Sequence, residues 1–420
     1  MISSGQPSLN PRLVKEADAL AGEGCTVIVI YQYWNEWASE LDNELLHKKA
    51  WRAILVGGSP KENSFIYNIS RGIYKITRLL SSRCTFRFNL AETAISRSSF
   101  FLYLEAKKHK ADLYIGHNLG ALPATVWVAK YHQKPCGFDA EDFHRNETSD
   151  DPKNEDVRLK TYIENNYFPH LNYLTTSSPL ISQEYSKIFP TLLPKTILNA
   201  FPVFQGKQST SFDENRSLKL FWFSQSIGLN RGLEDIFKAL KILENFNIQL
   251  HLLGDLPAQV SDDFEILIKD LSFSRTPKIV YHKPIIANRL IEFASDYDIG
   301  LALEPGFSKN NDIALSNKIF TYLNAGLAIV ATETSAQKMF ADQNPDFCLS
   351  YPVGDEKKMS ILLRSLIEDP NKLNILKFEA HKKSELEYNW KIESAKFLSL
   401  IEKIVHRQIP DAELTGFKRP

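Results

Sequence analysis

The chain predicts an α/β protein built as two Rossmann-like parallel-sheet domains facing across a cleft, with a C-terminal helix crossing back to the first domain. Three observations carry that expectation. Short β-rich runs alternate with longer amphipathic runs from end to end, as βαβ units around parallel sheets require. At 420 residues the chain exceeds one ordinary core and suits two domains of roughly 200 residues each. A polar, aperiodic stretch over 202–216 interrupts the alternation and reads as the linker. The expected division is therefore a first domain over 1–203, a second domain over 204–390, and a returning helix and tail over 391–420.

In the first half, strands are expected at 26–31, 53–56, 113–116, 136–138, 173–175 and 196–198. Helices are expected at 11–21, 36–47, 65–80, 92–108, 123–131, 160–168 and 180–188. The second half places strands at 218–223, 248–253, 278–281, 299–302, 328–331 and 347–350. Its helices fall at 233–243, 262–271, 288–294, 318–323, 355–367 and 370–383, and a last amphipathic run covers 390–405. A strand is also expected before the loop Gly5-Gln-Pro-Ser-Leu-Asn-Pro-Arg, yet only residues 1–4 are available for it. Either that strand is very short or the start codon is placed late, and the central strand of the first sheet is then incomplete.

Composition is that of a globular protein, with 43% hydrophobic, 24% charged and 11% aromatic residues. Fifty basic and fifty acidic residues give a net charge of +0, so nothing global drives nucleic-acid binding. Cys25, Cys84, Cys136 and Cys348 lie far apart, without zinc-ligand spacing or a disulfide frame, and suit a reducing cytosol. The first residues lack the basic region and apolar run of a signal peptide, and no window is apolar enough to span a bilayer. A cytoplasmic location is expected, with any membrane contact peripheral.

The segment 218–332 holds the clearest chemistry. An apolar strand, Leu218-Lys-Leu-Phe-Trp-Phe, runs into a polar turn with Gly228, and a helix opens near Arg231-Gly232 with Glu234 and Asp235 in its first turn. Asn317-Lys318 starts a second helix that stops at Gly326, just before another strand. Helix starts present unpaired N–H groups and the positive end of the dipole, so two of them in one parallel-sheet domain suit a diphosphate with sugars at both ends.

Several motifs, in order along nearly the whole chain, resemble the GT-B glycosyltransferases, closest to the retaining group called family 4. Asn10-Pro-Arg-Leu-Val-Lys-Glu-Ala-Asp-Ala-Leu-Ala-Gly-Glu-Gly-Cys-Thr-Val is similar to the opening helix and the turn into the second strand. Ala111-Asp-Leu-Tyr-Ile-Gly-His-Asn resembles the strand that ends in a cleft-facing histidine. Phe138-Asp-Ala-Glu-Asp-Phe is similar to a Tyr-Asp-Ala-His-Glu-Leu segment, and Asn199-Ala-Phe-Pro to the Asn-x-x-Pro closing the first domain. Two departures stand out. Gln225 replaces an arginine six positions before Arg231, and Ile313 and Thr321 replace a pair of glutamates.

The resemblance implies that a UDP- or GDP-linked sugar is the substrate, that no further cofactor is used, and that no metal is bound. Arg231 and Lys318 would neutralise the leaving diphosphate, with His117 near the sugar and Asp139 as general base if the reaction inverts. The donor would meet Ser226, Gly228, Gly232, Gly254, Glu304, Asn317 and Thr321, the last bonding a ribose hydroxyl, with the base read by backbone around Tyr281 and His282. The acceptor, a glycan or lipid-linked sugar, would meet Gly5, Asn10, Arg12, Glu141 and Asp142, and His144 and Arg145 if it is anionic. The expected activity is glycosyl transfer in surface polysaccharide assembly. A nucleotide-sugar 2-epimerase and a catalytically silent sugar-nucleotide binding module are the alternatives.

Arg71, Lys75, Arg78, Arg83, Arg87 and Arg97 lie among Ile73, Tyr74, Ile76, Leu79, Leu80, Phe86, Phe88 and Phe100. That spacing fits a core helix with a solvated basic side, or a helix lying on an anionic membrane through residues 71–97.

Overall fold

The computed structural model describes residues 1–81, 86, 89–206, 211–213, 215–286 and 289–406. The expected Arg83, Arg87 and Phe88 of the basic segment, Cys84 and Asn288 lie outside the described residues. The chain forms two compact units, Met1–Ile197 with Ser394–Pro420, and Leu198–Glu393.

The first unit is built on seven parallel strands: β1 (Ile2–Ser3), β2 (Ile28–Gln32), β3 (Arg52–Val56), β4 (Tyr114–His117), β5 (Cys136–Ala140), β6 (Tyr173–Thr176) and β7 (Lys195–Thr196). Their spatial order is β3-β2-β1-β4-β5-β6-β7, so the order reverses between β1 and β4. The strand expected before Gly5 is two residues long. It nonetheless sits centrally, pairing Ile2 with Ile30 on one side and with Gly116 on the other. Helices cover both faces, as all-parallel sheets demand. Among them Pro11–Gly22 presses Leu13, Ala17 and Leu20 into the core.

The second unit carries six parallel strands: β8 (Leu218–Ser226), β9 (Ile248–Asp255), β10 (Lys278–His282), β11 (Ile299–Ala302), β12 (Ala328–Thr332) and β13 (Cys348–Tyr351). The order is β10-β9-β8-β11-β12-β13, with the reversal between β8 and β11. Leu220, Trp222, Leu250, Leu252, Leu301 and Val330 fill one side of this sheet, packed by Ile236, Leu240 and Leu363 from helices Leu233–Ile242 and Glu356–Ile367. A ligand in such a sheet sits beyond the carboxyl ends of the strands at the reversal.

Several features differ from expectation, among them a helix at Ser335–Gln343 that was not expected. The helix read over 92–108 is two helices, Leu90–Ile95 and Ser99–Ala106. Ser96 between them is extended, and Ser99 Oγ bonds the carbonyls of Glu92 and Gly120; short hydroxyl side chains compete with the helical ladder in this way. Helix 160–168 begins earlier, at Glu155, because the Asn154 side chain caps it. The described parts of the expected linker are fastened to the second unit: Phe212 N donates to Asn374 Oδ1, and Arg216 bonds both oxygens of Asp298. Finally, Arg97 does not join a basic surface, because its guanidinium donates to the carbonyls of Tyr33, Gly57 and Gly58. No described helix is long and apolar enough to cross a membrane.

Candidate functional site

In the second unit both expected helix starts converge on the reversal. β8 delivers the chain to the turn Ile227-Gly-Leu-Asn-Arg-Gly232, and Gly232, at φ 74°, caps the helix Leu233–Ile242. A Cβ on Gly232 would lie 2.7 Å from the Leu303 Cβ, so glycine lets this helix start abut the end of β11. The next residue, Glu304, holds the other helix start. Its carboxylate accepts from Lys318 Nζ at 2.6 Å, Ser316 Oγ at 2.8 Å and Asn311 Nδ2 at 3.3 Å, while its backbone N–H donates to Thr332 Oγ1. Burial alone would raise the Glu304 pKa, but the Lys318 charge and these donors hold it below the ordinary range.

Arg231 is exposed, and its guanidinium donates to Ser224 Oγ at 3.0 Å. The Lys318 ammonium lies 5.7 Å from the Trp222 ring centroid. Arg231-Gly232, Leu303-Glu304 and Lys318 thus form one continuous set. Asn317 is exposed in the first turn of the second helix, and Ser226 and Gly228 line the turn after β8, with nothing near a Gly228 Cβ. Gly254 ends β9 against β8, since a Cβ there would lie 2.5 Å from the Ser224 carbonyl oxygen.

Two donor-side expectations change. Thr321 is fully buried and its hydroxyl donates to Asn317 O, so it faces the helix backbone rather than a ribose. Glu304, expected against the sugar, is occupied in holding Lys318. The sequence contains an Asp-x-Asp, Asp296-Tyr-Asp298, but it precedes β11 at the amino end of the sheet, and Asp298 is paired with Arg216 and Lys377. His282 bonds His251 at 2.9 Å, and burial with the neighbouring His282 lowers the His251 pKa to about 4.

In the first unit, one register row crosses four strands: Ser3, His117, Asp139 and Thr175. The helix Pro11–Gly22 lays Arg12 and Glu16 over this row. Arg12 bonds both Asp139 oxygens, at 2.6 and 2.8 Å, and Thr175 Oγ1 donates to Asp139 at 2.7 Å. Burial would raise the Asp139 pKa, but Arg12, His117 and these bonds depress it. A carboxylate so committed is a structural anion, which argues against the general-base role expected for Asp139. Arg12 is equally buried and engaged, so it braces the row rather than meeting an acceptor.

His117 is fully buried as well, with Nε2 3.3 Å from Glu16 and Nδ1 3.7 Å from Asp139. Burial would lower its pKa, but Glu16, Asp139 and Glu141 outweigh burial and raise it. Its ring is therefore enclosed by this charge row rather than exposed at the strand end. Asn10 caps the helix Pro11–Gly22 by accepting from Leu13 N, and Gly5 N donates to Ser3 Oγ. Asp142 is half-buried. Arg145 is held by Glu164 and Asn165, so it is spent internally, and His144 is buried beside Glu147.

Of the residues expected to meet an acceptor, Glu141 is less committed than Arg12 or Arg145. It is half-buried, its Oε1 has no hydrogen-bond partner among the described residues, and burial followed by Asp139 raises its pKa to about 7. Lys15 is the neighbour that the motif reading missed, its pKa lowered to about 7 by burial and then by Arg12. A signal for it was present: Arg12, Lys15 and Glu16 fall at i, i+3 and i+4 on one helix face, beside the apolar Leu13 and Ala17. His117, Asp139 and Glu141 offer ligand atoms within 4.8 Å of one another, but Arg12 already occupies both Asp139 oxygens. That charge balance fits an ion-pair row better than a divalent-cation cradle.

No family model matches the chain, and no curated sequence matches it. Solved structures do. The chain is similar to HepE from Anabaena in complex with UDP, at 12% identity over 96% of this chain and 99% of that one, with a TM-score of 0.65. Sucrose-phosphate synthase from Thermosynechococcus elongatus is also 12% identical, over 97% and 99%, with a TM-score of 0.68. A glycosyltransferase from Rickettsia africae is 13% identical over 96% and 98%, with a TM-score of 0.65. At these identities what is shared is the fold: two Rossmann-like parallel-sheet units, as in the GT-B glycosyltransferases.

Proposed function

We propose that the chain is a glycosyltransferase that moves a sugar from a nucleotide-sugar donor to a hydroxyl of a glycan or lipid-linked acceptor, in assembly of a surface polysaccharide. The observation that carries this reading is the meeting of two helix starts, bearing Arg231 and Lys318, at the strand-order reversal of the second unit. The named contents of similar structures support it: HepE is described with UDP-glucose, and TarM from S. aureus with fondaparinux, alpha-GlcNAc-glycerol and UDP. Motif order favours the retaining family 4 group and metal-independent chemistry.

In this reading the anomeric C–O bond breaks toward the diphosphate, and negative charge grows on the departing phosphate. Arg231, Lys318 and the N–H groups at both helix starts stabilise that charge. Glu304 holds the Lys318 ammonium at the helix start before the donor arrives. Glu141 is the acceptor-side group, able to exchange a proton near neutrality, while Asp139, Arg12 and His117 brace the strand ends beside it. The test is a panel of UDP- and GDP-sugars assayed for nucleoside-diphosphate release with and without glycan acceptors. Release that requires acceptor supports transfer. Free epimerised nucleotide sugar would establish an epimerase, and thermal stabilisation without turnover a silent binding module.

A further inference from the structure

The helix Ser64–Ser81 is amphipathic in the reverse sense from a core helix. Ser70, Tyr74, Thr77 and Ser81 form the face turned inward, toward the helix Leu90–Ile95; Ser70 and Ser81 are only 4% and 6% exposed. Ser70 Oγ accepts from Arg97, which fastens this polar face to the unit. Phe65, Ile66, Ile69, Ile73, Ile76 and Leu80 therefore face solvent, with Phe65 76% and Ile76 60% exposed. Their i, i+4, i+8 spacing makes one continuous apolar stripe along the helix. A soluble surface has no use for such a stripe, and contiguous exposed apolar area of this kind marks an interaction face.

Charge identifies what covers it. The helix Ser64–Ser81 carries Arg71, Lys75 and Arg78 and no Asp or Glu. Within the helix, Arg71 and Lys75 are exposed along one edge of the stripe, and Arg78 pairs with Asp156. A second copy of the chain would bring the same cations to the same edge, and like charges would oppose that pairing. An anionic bilayer complements both features at once, accepting the apolar side chains below its headgroups and the cations among them.

We propose that the helix Ser64–Ser81 docks the protein on an anionic lipid bilayer, with the apolar stripe inserted and Arg71 and Lys75 at the headgroup level. This does not rest on the glycosyltransferase reading, since nucleotide release from soluble substrates is independent of it. The experiment is flotation of the full chain with vesicles of phosphatidylcholine alone or mixed with phosphatidylglycerol, at low and high salt. Wild type should float with the anionic vesicles at low salt. Ile73→Ser with Ile76→Ser should reduce partitioning by at least about tenfold through lost apolar burial. Arg71→Gln with Lys75→Gln should reduce it by about thirtyfold at low salt. All four positions are exposed, so circular dichroism of both variants should match wild type. The proposal is overturned if wild type stays with the vesicle-free fraction at low salt, or if the Ile73 and Ile76 variant floats as well as wild type. It is equally overturned if sedimentation velocity without vesicles finds a dimer that this variant dissolves, because a second copy would then be the occupant.

Discussion

Lys318 meets Glu304 at 2.6 Å with side chains 14% and 18% exposed, so its replacement reports on structure and chemistry together. At an effective dielectric near 20 the gross attraction at that distance is about 6 kcal/mol, most of it offset by desolvation of the two ions. Lys318→Met leaves the Glu304 carboxylate with Ser316 and Asn311 as its side-chain donors among the described residues. That should destabilise the second unit by about 2 kcal/mol, below the full value for a buried pair because both groups retain some water. If Lys318 also stabilises the departing diphosphate, kcat should fall about 100- to 1000-fold. The paired variant Glu304→Gln with Lys318→Met separates the two roles. It removes the orphaned charge and should recover most of the stability, while kcat stays low. Urea melts and acceptor-dependent nucleotide release measure the two quantities side by side. Wild-type kcat in the paired variant would refute a role for Lys318 beyond structure. The sign of the pH dependence follows from the depressed Glu304 pKa. Its contribution is present above the ordinary carboxylate range and is lost as pH falls through its lowered folded value.

Arg231→Ala should leave stability within about 0.5 kcal/mol, because the side chain is exposed and its contact is Ser224 Oγ. Nucleoside-diphosphate affinity by calorimetry should nevertheless drop about tenfold or more. Gly232→Ala should cost about 1–3 kcal/mol from left-handed strain and the Leu303 contact, whereas Gly228→Ala, with nothing within 4 Å of its Cβ, should melt like wild type. Glu141→Gln tests the raised carboxyl. In wild type the folded state holds this proton up to about 7 while the unfolded state releases it earlier, so stability should fall as pH rises through that window. The glutamine variant should lose this part of the pH dependence, leaving the slope contributed by His117 and Lys15. Asp139→Asn should destabilise the first unit by about 3–5 kcal/mol by orphaning buried Arg12, and equal melting of mutant and wild type would contradict the structural assignment.

The alternation of strands and helices was legible because parallel strands covered on both faces read as nearly unbroken apolar runs, as at Leu220 to Phe223 and Ala328 to Ala331. The helix starts at Arg231-Gly232 and Asn317-Lys318 were legible for a related reason: glycine, turn residues and the onset of helical periodicity are local signals. The break at Ser96 was not, because it depends on side-chain bonds to the carbonyls of Glu92 and Gly120, one of them far away in the chain. The roles within the charged row were equally hidden. Asp139 and Glu141 stand two residues apart in one motif, yet the first is neutralised by Arg12, 127 positions earlier, and the second keeps an oxygen with no hydrogen-bond partner among the described residues.

By itself, then, the sequence determined the fold class, the order of its strands and helices along the chain, and the basic residues at two helix starts, since each is written in local composition and period. Only the tertiary structure decided which charges were available. It committed Asp139 and Arg12 to each other, gave Lys318 to Glu304, closed Thr321 inside its helix and left Glu141 poised near neutrality. It also turned the serine face of the helix Ser64–Ser81 inward and its isoleucines outward. Periodicity shows that a helix has two faces, but which one is covered depends on what packs against it, and that neighbour comes from another part of the chain.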